Sequence, residues 1–170
     1  TGDVHLQKDG EILESWTPAQ HVGQWLRSTF GYREKGLGQV EFAVYAAEDI
    51  EHPDGVTGIC FRKGEQVLTG VRSEKQEARG VTDKSGMLEF RELYLGQYEI
   101  RELKTAEGYV RDKKPILFTL AYRDGYTSTV DARQGSVRWI NPRQRSEVTV
   151  HKTDAADGKA LAGAEIGLYT

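Results

Sequence analysis

The sequence predicts an all-β antiparallel sandwich, and three observations predict it. Apolar and polar residues alternate over many short runs, turn residues punctuate those runs at close spacing, and only one short stretch carries a helical period. The first strand is Val4–Lys8, closed by the Asp9-Gly10 turn. The one helical stretch follows: over Pro18–Ser28, Val22, Trp25 and Leu26 fall on one face, so a short helix interrupted by Gly23 is expected. Val40–Tyr45 alternates again, and Pro53-Asp54-Gly55 turns the chain before Gly58–Phe61. Lys63-Gly64 precedes Gln66–Val71, and Asp83-Lys84-Ser85-Gly86 precedes Leu88–Phe90. Tyr98–Leu103, Ile116–Tyr122, Thr127–Val130 and Val137–Asn141 complete the set, with Asp124-Gly125 as the last turn. Many short strands with frequent turns pack as two sheets around one core.

Composition bounds the function. A chain of 170 residues with 38% hydrophobic residues fills one modest core. A formal charge of -3 gives no basic footprint for nucleic acid, and no polybasic run marks an anionic membrane. No continuous apolar stretch is long enough to span a bilayer, and no signal peptide is visible; if the protein is secreted, this chain is expected to be an internal piece of a longer one. The single cysteine, Cys60, excludes an intrachain disulfide and reads as a small strand hydrophobe. No cofactor motif occurs. His5, His21, His52 and His151 lack metal spacing, and Asp49, Glu51 and Asp54 read as a solvated turn, not a calcium loop.

Two blocks recur in the same order. Val4-His5-Leu6-Gln7-Lys8 resembles Val148-Thr149-Val150-His151-Lys152, and Leu37–Tyr45 resembles Leu161–Tyr169. The expected organisation is a domain over residues 1–146 and the opening strands of a second, truncated domain over 147–170. The first copy holds an extra stretch, about 11–36, inserted after the first strand. Trp16, Trp25, Phe30 and Tyr32 concentrate in it. They are expected to pack a hairpin or short helix onto the sandwich, or to form an exposed ligand-binding patch.

Strand alternation also picks out three polar residues. Val4 and Leu6 share a face with Lys8, Tyr98 and Ile100 with Glu102, and Val137 and Trp139 with Asn141. A buried lysine or glutamate without a partner is costly, so three such groups are expected to meet. Burial favours a neutral amine, which is a nucleophile, and a protonated acid. Glu102 would then donate a hydrogen bond to the carboxamide oxygen of Asn141 and shuttle a proton to departing ammonia, leaving an amide between Lys8 and Asn141. The bland alternative is that each is a strand-end side chain bending into solvent.

The segment Gly96-Gln97-Tyr98-Glu99-Ile100-Arg101-Glu102, followed by Gly108-Tyr109, resembles the glutamate box of Cna B-type, or SpaA-like prealbumin, domains. The Ala-Pro pair of that pattern is replaced here by Thr105-Ala106. Lys152-Thr153-Asp154, Gly158-Lys159, Leu161–Ala164 and Leu168-Tyr169 are similar to the family's domain opening. The resemblance implies an immunoglobulin-like, prealbumin-like β-sandwich from a cell-wall-anchored adhesin or pilin of a Gram-positive bacterium, usually in tandem with like domains. It implies an isopeptide bond between Lys8 and Asn141 assisted by Glu102, with Asp131 as fallback acceptor. Lys152 becomes the equivalent lysine of the next domain, unreacted here. The implied role is an extracellular stalk, not an enzyme with turnover. A ligand-binding module, or an accessory domain of a secreted enzyme, are the other readings.

Overall fold

The computed structural model describes residues 1–22, 25–122, 130–131, 139–145 and 150–166, with the side chains of 19, 21, 22, 25–27, 130 and 131 left undescribed. Thirteen strands follow in chain order: β1 Gly2–Val22, β2 Trp25–Gly36, β3 Glu41–Ala46, β4 Ile50–Glu51, β5 Ile59–Phe61, β6 Leu68–Thr69, β7 Gln76–Glu77, β8 Arg79–Val81, β9 Met87–Leu93, β10 Gly96–Lys104, β11 Ile116–Leu120, β12 Val130–Asp131 and β13 Trp139–Asn141. No helix occurs among the described residues.

β1 organises one sheet. Its first half pairs antiparallel with β9, as in Val4 with Phe90 and Leu6 with Leu88. It also pairs in parallel with β12 and β13, so two pairings depart from the antiparallel rule. β1 is thus the central strand of this sheet, flanked by β12 and β13. The second sheet runs β11-β10-β3-β8, all antiparallel.

The core sits between these sheets. Val4 and Leu6 face it from β1, Phe42, Val44 and Ala46 from β3, Tyr98 and Ile100 from β10, Phe118 and Leu120 from β11, and Trp139 from β13. The period of two explains this inward set on β10 and β11, where buried positions alternate with more exposed ones. Phe42 and Trp139 touch ring to ring at 5.0 Å, tying the two sheets together directly beneath the polar residues described below.

The helix expected over Pro18–Ser28 is not formed. β1 continues through this region and pairs with β2, with Val22 opposite Trp25 and His21 opposite Leu26. Apolar residues three apart fit one helix face, but they also fit facing arms of a tight hairpin, and here β-pairing wins. Ser15, Trp16 and Thr17 face Gly31, Phe30 and Thr29. Trp16 is 60% and Phe30 51% exposed, so these rings stand off the sandwich instead of packing on it. Tyr32 is half-buried, with the Arg145 guanidinium 4.7 Å from its ring centroid. The side chain of Trp25, residues 127–129 of the predicted strand Thr127–Val130 and residues 137–138 of the predicted strand Val137–Asn141 lie outside the described residues.

Candidate functional site

Three strands deliver the polar residues. Lys8 is opposite Trp139 and Gly10 opposite Asn141 in the β1–β13 register. Lys8 and Asn141 are therefore diagonal neighbours, and alternation sends both side chains into the core. Glu102 comes from the facing sheet, where it pairs with Phe42 of β3. The register slips immediately afterwards, between Glu102 and Lys104. Such a bulge re-aims the residues beside it. Lys8 and Asn141 are 0% exposed and Glu102 5%.

The three side chains meet. Lys8 Nζ donates to Asn141 Oδ1 at 2.7 Å. Asn141 Nδ2 donates to Glu102 Oε1 at 2.5 Å and to Thr105 Oγ1 at 2.8 Å. Lys8 Nζ also lies 3.3 Å from Glu102 Oε2. That oxygen accepts no aligned hydrogen bond among the described residues. Oε2 therefore stands within reach of a proton from the Lys8 amine. Trp139 walls the amine, with Nζ 4.7 Å from its ring centroid. Its own Nε1 donates to Asp112 Oδ2 at 2.7 Å.

Burial lowers the Lys8 pKa from 10.5, against the opposing pull of the Glu102, Asp112 and Asp9 charges. Loss of hydration is thus the dominant influence, and it favours the neutral amine. The carboxamide orientation differs from the sequence expectation: Glu102 meets the amide nitrogen, not its oxygen. Two acceptors, Glu102 Oε1 and Thr105 Oγ1, lie on one side and take both amide hydrogens. The lysine nitrogen, which donates, then faces the amide oxygen.

Tyr109 packs beside Gly10. Its hydroxyl donates to Glu11 O at 2.9 Å, and a Cβ placed on Gly10 would lie 2.8 Å from its ring. Gly10 is the strand partner of Asn141, so only a residue without a side chain leaves room for this ring.

The other predicted residues lie apart. Asp131 is opposite Asp3 in the register, five residues along β1 from Lys8, and its side chain is undescribed. Lys152 is exposed. Its carbonyl accepts from Leu161 N at 2.9 Å, and in the first block the Lys8 carbonyl accepts from Leu37 N at 2.8 Å. The repeated sequence blocks thus carry the same local backbone bond.

A sequence family described as the SpaA prealbumin-like fold domain matches residues 31–136, more than half of the chain. The chain belongs to this family. Glu102 falls inside the matched span of the SpaA domain, whereas Lys8 and Asn141 fall outside it, so their meeting rests on the coordinates alone. Among solved structures, the minor pilin GBS52 of Streptococcus agalactiae has a TM-score of 0.50 at 19% identity, over 89% of this chain and 48% of that one. The shaft pilin SpaA of Lactobacillus rhamnosus GG, in a substituted form, has a TM-score of 0.42 at 17% identity, over 94% of this chain and 57% of that one. The chain thus spans about half the length of these relatives. No curated protein matches it.

Two residues of the site escaped the sequence reading. Thr105 follows the bulge, where strand alternation no longer reports direction. Asp112 lies outside any strand, so no period applied to it. The SpaA domain's glutamate pattern did flag position 105 as a departure, and that departure was the available signal.

Proposed function

We propose that this domain is a load-bearing stalk module of a Gram-positive surface adhesin or pilin, locked by an isopeptide bond that Lys8 and Asn141 form in the folded core. The observation that carries the reading is the 2.7 Å approach of a fully buried lysine amine to a fully buried carboxamide. The neutral amine of Lys8 attacks Cγ of Asn141 and passes a proton to Glu102 Oε2. Glu102 then turns to deliver that same proton to Nδ2 as the Cγ–Nδ2 bond breaks. One amide forms, one ammonia leaves, and the carboxylate is regenerated. Fixing the reactants in a dry core replaces an encounter with a unimolecular step, worth effective molarities on the order of 10⁵ M or more. The reaction runs once per molecule.

The mechanical logic follows from topology. The linked residues are 133 apart in sequence but lie on adjacent strands, near the two ends of the domain. Tension on the ends would pass through the covalent link, and the intervening core would be spared extension. An amide resists reductants, which suits an extracellular protein with one cysteine. The module is proposed to sit in tandem with like domains, the 147–170 segment opening the next one. The matching Lys8–Leu37 and Lys152–Leu161 backbone bonds support that division. So do Leu161 and Ile166, exposed here, where their repeat counterparts Leu37 and Phe42 are core residues.

Intact mass spectrometry tests the bond. The purified chain should weigh one ammonia less than its sequence, and peptide mapping should join the Lys8 and Asn141 peptides. An uncorrected mass sinks the proposal. A second reading, an adhesin module, is favoured by one observation: Trp16 and Phe30 face each other on the hairpin and are both more than half exposed. Host matrix-protein or glycan arrays, comparing the chain with its Trp16→Ala/Phe30→Ala variant, test it. Equal binding, or none, removes it.

A further inference from the structure

We propose that Thr105 is a positioning residue for the cross-linking reaction, holding the Asn141 carboxamide in the one orientation that reacts. The inference rests on the Lys8–Asn141 reaction proposed above. A primary carboxamide can flip, exchanging its oxygen and nitrogen at little intrinsic cost. Only one of the two orientations is productive. Lys8 must add to Cγ while Glu102 protonates the nitrogen that leaves, so nitrogen must face the acid.

Glu102 by itself does not fix this choice. A protonated carboxyl can donate to the amide oxygen as readily as a carboxylate can accept from its nitrogen. Thr105 Oγ1, 2.8 Å from Nδ2, adds a second acceptor on the same side. Both amide hydrogens are then engaged, one by Glu102 Oε1 and one by Thr105 Oγ1. Flipping the amide would turn an oxygen toward Thr105, forcing the hydroxyl to rotate and donate, and would turn the NH₂ group toward Lys8, whose amine would lose its acceptor. Asn141 is fully buried and water cannot compensate a lost bond there. The alanine of the resembling pattern offers no such oxygen.

Thr105 is also placed for the departure. Lys8, Glu102, Asn141 and Trp139 are all buried, whereas Thr105 is half-buried. The group it holds is the leaving nitrogen. As the Lys8 Nζ–Cγ bond forms and the Cγ–Nδ2 bond breaks, ammonia is released beside this half-buried residue.

The test follows ammonia loss in the full chain. Urea-solubilised, unreacted protein is refolded by dilution, quenched in acid at timed intervals and weighed intact. Thr105→Val, nearly the same shape without the acceptor, and Thr105→Ala are compared with the parent and with Thr105→Ser. Misplacement of a reacting group costs up to about 100-fold, so Val and Ala variants are expected to react about tenfold more slowly or worse, with Ser near the parent. A smaller slowing in the folded Val or Ala variant overturns the assignment. So does a Ser variant as slow as Val, which would make the effect one of packing. Melting temperatures of Lys8→Met with and without Thr105→Val report any cost to folding separately from the chemistry. A parent that never loses ammonia overturns the bond itself, a result distinct from equal rates in parent and variants.

Discussion

Replacing Glu102 with Gln is the most informative single perturbation. The variant keeps the shape of the side chain but cannot shuttle a proton, so Lys8 and Asn141 should remain separate. The bond would close a loop spanning 133 residues. In the chain-entropy treatment of cross-links, such a loop removes about 17 cal/mol/K from the unfolded ensemble, or about 5 kcal/mol at 25 °C. A domain of this size shifts its melting point by roughly 2–4 °C per kcal/mol, so the variant should melt roughly 10–20 °C lower. Lost contact with Lys8 also contributes to any difference. Urea titration separates the two, because a cross-link keeps the unfolded chain compact and lowers the slope of stability against denaturant. The parent should therefore show both the higher melting point and the smaller slope. Loss of a side-chain contact alone changes the midpoint and leaves the slope as it was. Equal slopes, or a Glu102→Gln variant that still weighs one ammonia less than its sequence, would refute the reasoning.

Three further outcomes are expected. Burial lowers the Lys8 pKa below 10.5, so the neutral amine gains population at lower pH than an exposed lysine does. The refolding reaction should accelerate as pH rises through that lowered value and be level before 10.5, as read by timed intact mass; a rate still climbing at 10.5 contradicts the buried-amine account. Gly86 has φ +83°, and a Cβ there would lie 2.1 Å from the Lys8 carbonyl oxygen. Gly86→Ala should therefore displace the Lys8 backbone, costing more than about 1 kcal/mol by urea titration and slowing ammonia loss. Phe42 is fully buried and rests on Trp139 across the core. Phe42→Ala should cost about 3–5 kcal/mol by the same titration, and a loss under about 1 kcal/mol would argue against this packing.

Much of the site was legible because strands have a fixed period. In β10 the sequence places Tyr98, Ile100 and Glu102 on one face, and all three are buried. The same count put Lys8 behind Val4 and Leu6, and Asn141 behind Trp139. Local reasoning failed where two periods coincide. Val22, Trp25 and Leu26 suit a helix face, yet the backbone pairs Val22 with Trp25 and His21 with Leu26. Propensity cannot arbitrate such a short segment, and strand pairing with β2 decides it.

Sequence alone determined the all-β class, the strand faces and the identity of the amine, acid and amide, because alternation and turn chemistry act over a few residues. Tertiary structure decided who touches whom. The parallel alignment of β1 with β13 sets Lys8 beside Asn141 across 133 residues. The break in register after Glu102 brings Thr105 to the amide nitrogen. Neither distance is encoded locally: the first arises from pairing distant strands within one sheet, the second from packing one sheet against another.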